Sequence, residues 1–133
     1  MAQVYLLDTD ICSYTIRETP KAVIEKFWKH RNDDICISSV TYAELIYGGL
    51  HKGSVKLQDQ IKTFVSRVGI IDFNAAAAEE YAQIRQFLEI HGTPLGNMDM
   101  LIAACAKSSN AVLVTNNLKH FSRIPNLKQE NWC

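Results

Sequence analysis

Three acids in this chain of 133 residues, Asp8, Glu44 and Asp99, could do chemistry together, because each follows a segment able to carry it to one edge of a sheet. Asp8 ends the apolar run Val4-Tyr5-Leu6-Leu7. Glu44 lies on the helix expected after Ile35-Cys36-Ile37, and Asp99 falls in the first turn of the helix expected after Gly96. Carboxylates brought together repel and raise one another's pKa, so a group of them needs a partner. A hard divalent cation supplies it. Magnesium takes a few carboxylates and keeps several waters, and an ion so held can polarise a phosphoryl oxygen and generate hydroxide for in-line attack on a phosphodiester. Singly, each acid also has an ordinary explanation: Asp8 as a turn residue after a strand, Glu44 as a solvent-facing helix position, Asp99 as the complement of a helix N-terminus.

The elements that must position them alternate along the chain. Val4 to Leu7 reads as a strand buried on both faces of a parallel sheet. A short helical turn near Ile11 to Tyr14 follows, and Pro20 opens a helix from Lys21 to Arg31. Asp34 precedes the strand Ile35 to Ile37. Ser38-Ser39 then cap a helix carrying Val40, Ala43, Glu44, Tyr47 and Leu50, with Gly48-Gly49 weakening its end. Gly53-Ser54 start a helix with Leu57, Ile61, Phe64, Val65 and Val68 on one stripe, leading to a strand from Gly69 to Phe73. Asn74 caps a long helix, Ala75 to His91, closed by Gly92 in a left-handed conformation. Asn97 caps the helix that holds Asp99, and Val112 to Thr115 forms a further strand. This alternation predicts a three-layer α/β fold, one domain over residues 1–133, around a mainly parallel sheet of four or five strands. In such a sheet ligands bind beyond the carboxyl ends of the strands, an edge that gathers Asp8, Asp10, Ser39, Thr115, Asn116 and Asn117.

Composition narrows the function classes. Fourteen basic residues balance fourteen acidic ones, so any contact with nucleic acid must be local rather than driven by overall charge. Lys26, Lys29, His30 and Arg31, and later His51, Lys52, Lys56 and Lys62, read as solvated helix faces. No apolar stretch approaches the ~20 residues of a membrane span and no signal peptide opens the chain, so a soluble, cytoplasmic protein is expected. Cys12, Cys36, Cys105 and Cys133 form no C-x-x-C pair, and His30, His51, His91 and His120 no helix pair, so neither zinc nor a disulfide framework is expected.

Four stretches taken together resemble a known family: L-L-D-T-D at Leu6 to Asp10, S-S-V-T-Y-A-E-L at Ser38 to Leu45, G-x-P-x-G-x-x-D-x-x-I-A-A from Gly92 to Ala104, and V-T-N-N-x-x-x-F from Val114 to Phe121. In this order and spacing the chain resembles the VapC-type PIN-domain toxins. The resemblance implies a PIN fold and a magnesium- or manganese-dependent endoribonuclease. It also implies the toxin of a toxin-antitoxin pair, attacking structured RNA such as transfer or ribosomal RNA and neutralised by a small VapB-type antitoxin. Homodimers and hetero-oligomers with the antitoxin are implied as well. Its metal site falls on Asp8, Glu44 and Asp99, with Thr9 or Ser39 as polar neighbours. A fourth acidic position falls on Asn117, which lacks the charge, so one firmly bound ion is expected, with Asn117 or Asn116 orienting water or metal. Asp10 is an additional carboxylate where many relatives have asparagine. Arg85, beside the stripe of its helix, is read as a solvated or acid-paired residue, with a clamp for RNA phosphate or a partner for a site carboxylate as the functional alternatives. Phe27, Trp28, Tyr42 and Tyr47 lie where the family forms its antitoxin groove and part of its dimer contact, although core packing accounts for most of them equally well. His120 is expected to have no catalytic part.

Two other classes fit less of the chain. Asp8-Thr9-Asp10 after an apolar strand also looks like the nucleophile motif of haloacid-dehalogenase-like phosphatases, but Cys12 and Asn116-Asn117 depart from that pattern. A PIN-fold binding module with weakened catalysis is suggested only by Asn117.

Overall fold

The computed structural model describes residues 3–133. Strand β1 (Val4–Leu7) leads into helices α1 (Thr9–Arg17) and α2 (Lys21–Lys29), then β2 (Asp34–Ser38), α3 (Ser39–Lys52), α4 (Val55–Val65) and β3 (Gly69–Ile71). Helices α5 (Ala75–Ile90) and α6 (Asn97–Ser108) precede β4 (Val112–Val114), the short α7 (Leu118–Phe121) and β5 (Gln129–Glu130). The five strands form one sheet in the order β3-β2-β1-β4-β5, every pair parallel. The expected three-layer α/β architecture is the one observed.

Strand alternation makes the layers. Leu6 points into a core shared with α5 and α6 (Ala77, Ile84, Leu88, Ala103, Ala104), while Tyr5 and Leu7 point into a second core with α1, α2 and α4 (Ile11, Val23, Ile61, Phe64). The order runs outward from β1 through β2 to β3, then returns to the other side of β1 with β4 and β5. The order therefore reverses between β1 and β4, where Leu7 pairs with Val114. That is the switch point at which an open parallel sheet leaves a crevice beyond its carboxyl edge.

Several local expectations are corrected. The turn near Ile11 to Tyr14 is a full helix, because the Asp8 side chain caps it by accepting from the Ile11 N–H at 3.0 Å. The Lys21 helix ends at Lys29. Strand β3 stops at Ile71 rather than Phe73, whose N–H instead donates to Ser39 Oγ at 3.0 Å. The first cap of α3 is Ser38, and α6 is preceded by Gly96 with Asn97 already helical. Gly92 does take the left-handed backbone, at φ +65°. Helix α7 and strand β5 have no counterpart in the sequence reading. Core packing does not account for the aromatics as a group: Phe27 is buried, but Trp28, Tyr42 and Tyr47 are exposed.

Candidate active site

The site is built at the switch point, from the residues that leave β1 and β4. Asp8 follows β1 directly, and its backbone N–H donates to the Val114 carbonyl at 3.0 Å, locking it beside the end of β4. Asp8 is only 7% exposed. Burial pushes its pKa up to about 6, against hydrogen bonds from the Thr115 hydroxyl and the Ile11 N–H, and the nearby charges of Asp10 and Asp99 push it further. The buried Thr115 is fixed in turn, since its N–H donates to the Glu130 carbonyl at 2.9 Å, so β5 braces the floor of the site.

Glu44 reaches this edge from the second turn of α3. Thr9 Oγ1 donates to Glu44 Oε1 at 2.6 Å and lies 3.3 Å from the buried Thr41 Oγ1, tying α3 to the start of α1. Asp99 arrives from the first turn of α6, where His120 Nε2 lies 3.1 Å from its Oδ2. An ionised carboxylate only accepts, so the imidazole donates from Nε2. Asp8 thus has two protein hydrogen-bond partners and Glu44 and Asp99 one each, while Glu44 Oε2 and Asp99 Oδ1 have no protein partner among the described residues. Neither these acids nor Asp10 forms an ion pair with a lysine or arginine among the described residues.

The other candidates divide. Asp10 is exposed on the first turn of α1, next to the trio. Asn117 is exposed; its backbone N–H donates to Thr115 Oγ1 at 3.1 Å and its side chain is unengaged. Asn116 donates to the Tyr14 hydroxyl at 2.8 Å. Ser39 is occupied by Phe73, and Arg85 by Glu89 at 2.9 Å and Tyr81 at 3.2 Å on its own helix. No hydrogen bond joins either to Asp8, Glu44 or Asp99, and Arg85 is an exposed, acid-paired residue of its own helix rather than the partner of a site carboxylate. His120 was set aside on sequence, yet it is the one side chain that holds Asp99. No local signal could have found it, since the two residues lie 21 positions apart and α7 is a single turn.

The donor set suits a hard cation: buried or half-buried carboxylates, hydroxyls, no thiol or imidazole cluster, and local negative charge left unneutralised. Among the described residues no three His, Cys, Asp or Glu side chains converge closely enough to encage an ion alone.

The PIN domain family matches residues 5–127. Ribonuclease VapC2 of Rickettsia felis is 46% identical over 132 residues, 97% of this chain and 98% of the relative. The chain belongs to the VapC family of PIN-domain ribonucleases. A tRNA(fMet)-specific endonuclease VapC of Shigella flexneri is 42% identical over 130 residues, 96% of this chain and 97% of the relative. The solved VapBC2 of Rickettsia felis, bound to a DNA fragment from its promoter, superposes with a TM-score of 0.90 at 42% identity, covering 98% of this chain and all of that one. The DNA-bound VapBC of Salmonella typhimurium gives 0.88 at 39% identity, with both chains covered in full. Near-complete alignment with VapC ribonucleases leaves no ground for the phosphatase reading of Asp8 and Asp10. PIN-domain nucleases of the VapC type are, as a family, metal-dependent.

Proposed function

We propose that this chain is a magnesium- or manganese-dependent endoribonuclease that acts as the toxin of a toxin-antitoxin pair in the cytoplasm, working as one domain over residues 1–133. Asp8, Glu44 and Asp99 are its metal-binding acids. The observation that supports the reading is the placement of Asp8 after β1, Glu44 on α3 and Asp99 on α6 around the β1–β4 switch point, Glu44 bonded by Thr9, Asp99 by His120, and none of the three paired with a lysine or arginine among the described residues. Held there, the ion would polarise a phosphoryl oxygen and lower the pKa of water for attack on the phosphodiester. The protein's own share is positional. Thr9 and His120 orient Glu44 and Asp99, and Thr115 and the start of α1 hold Asp8. Asn117 and Asp10 stand at the rim, able to orient water.

Transfer RNA is the first substrate to try, because the Shigella relative is named for tRNA(fMet). The partner is a small VapB-type antitoxin, as in the Rickettsia and Salmonella complexes. Exposed Tyr42, Ile46, Tyr47 and Leu50 on α3 support a homodimer, since apolar side chains grouped on one helix mark an interaction surface. Among the described residues no helix is long and apolar enough to cross a membrane.

The test is cleavage of end-labelled transfer RNA by the antitoxin-free chain. Cleavage should stop with chelator, return with magnesium, and be lost in Asp8→Asn and Asp99→Asn. Undiminished cleavage in both variants would sink the assignment.

A further inference from the structure

Helix α3 carries two interior glycines, Gly48 and Gly49, although glycine is the poorest helix former after proline. Packing explains one of them. A Cβ on Gly49 would lie 3.0 Å from Gln58 Cγ and 3.2 Å from Ile61 Cδ1, so the close approach of α4 requires glycine there. Gly48 is different. A Cβ there would meet nothing within 4 Å, and its φ is not positive, so neither backbone nor neighbours call for the missing side chain.

What Gly48 does border is a cavity of about 300 Å³ between α1, α3 and α4, walled on one side by Thr9, Asp10 and Glu44 of the site. Leu45, Leu57 and Ile61 give it an apolar lining, and Ser13, Arg17 and Lys52 are polar groups around it. Arg17 is held in place: its Nε donates to the Ser13 carbonyl at 3.3 Å and its guanidinium sits 5.5 Å from the centre of the Tyr14 ring, leaving the terminal nitrogens free. Neither Arg17 nor Lys52 pairs with a carboxylate among the described residues. An apolar lining with unpaired cations, opening from a phosphodiester-cleaving site, matches a nucleotide: the base against the aliphatic side chains, the phosphate on guanidinium and ammonium. Its volume is at the lower end of small-ligand sites, about 300–1,000 Å³.

We propose that this cavity receives one unstacked nucleotide of the RNA strand beside the cleaved phosphate, that Arg17 and Lys52 hold its phosphate, and that position 48 lacks a side chain to leave room for it. The proposal rests on the reading of Asp8, Glu44 and Asp99 as the cleavage site.

Fluorescently labelled transfer RNA, titrated with the full antitoxin-free chain in chelator at several salt concentrations, tests it. Gly48→Leu should weaken binding about tenfold, the scale of one lost base contact. Its thermal stability should equal or exceed that of the unchanged protein, because leucine is the better helix former. Arg17→Ala and Lys52→Ala should each weaken binding and reduce the salt slope by about one. Manganese affinity, measured by calorimetry on the same proteins, should not change with Gly48→Leu. A folded, manganese-binding Gly48→Leu protein that holds RNA as tightly as the unchanged chain overturns the proposal. That includes the outcome in which this variant loses only antitoxin binding. In the same calorimetry Asp99→Asn judges the other reading: unimpaired manganese binding there removes the metal site and leaves the RNA titration to decide the cavity by itself.

Discussion

Helices α3 and α6 each deliver one acid to the site, and they are built in opposite ways. Behind Asp99, α6 buries Met100 and Ile102 together with Ala103, Ala104, Cys105 and Ala106, whose small side chains let α5 and the sheet close on it. Around Glu44, α3 buries only Thr41, Leu45 and Gly49, and leaves Tyr42, Ile46, Tyr47 and Leu50 exposed. The first is scaffold fixed by the core, with His120 holding its half-exposed acid. The second is a surface helix whose acid needs a tether, supplied by the 2.6 Å bond from Thr9. Both acids are therefore tethered by a charge-assisted hydrogen bond, but only α6 is also fixed by a packed core. The freedom left on α3 is what a partner or substrate can use.

The sharpest way to break this comparison is to remove the acids themselves. Asp99→Asn should lower the rate of RNA cleavage by at least about 100-fold, the scale of removing a group that stabilises transition-state charge, with the fold unchanged by circular dichroism.

Next in size is the cost of burying Asp8. Its folded-state pKa, about 6, lies above its ordinary value of 3.8, so the folded protein holds this proton more tightly than the unfolded chain. The favourable contribution is complete below about pH 4 and is lost as pH rises to about 6. Without divalent ions Asp8→Asn, which keeps a side-chain cap, should therefore be the more stable protein at pH 7, by about 2–3 kcal/mol at 1.36 kcal/mol per pKa unit. In urea unfolding that gain should vanish near pH 4, and a gain independent of pH would contradict the assigned cause.

Packing gives the third contrast. Ala104→Leu on α6 should cost about 1–3 kcal/mol by overpacking, whereas Ile46→Ala on α3 should change stability by about 0.5 kcal/mol or less. Equal costs in urea unfolding would erase the distinction between the two helices. The smallest expected effect is on the tethers. Thr9→Val and His120→Ala should each weaken manganese binding about tenfold by calorimetry, as loss of a partner that orients a metal ligand does.

The sequence disclosed more of the scaffold than of these tethers, for physical reasons. Asp8, Glu44 and Asp99 could be read because each sits at a boundary between elements of strong periodicity, and the strand-helix alternation then places them on one edge. Helix α1 was under-read because Cys12-Ser13-Tyr14-Thr15 are weak helix formers, and its stability comes from the Asp8 cap and from burying Ile11 and Cys12. Strand β5, two residues long, has no periodicity to detect, although the buried Trp132, stacked 4.9 Å from His30, secures the chain beyond it. Thr9 with Glu44, His120 with Asp99 and Asn116 with Tyr14 are contacts across 35, 21 and 102 positions, which only the folded chain brings together.

Asp8 after β1, Glu44 on α3 and Asp99 on α6 are proposed to hold one metal ion between them. Manganese titration by calorimetry of the antitoxin-free chain, beside Asp8→Asn, Glu44→Gln and Asp99→Asn, tests it most directly. One firmly bound ion is expected in the unchanged protein, with a loss of affinity of at least about tenfold in each variant. A variant that binds manganese as tightly as the unchanged chain would contradict it.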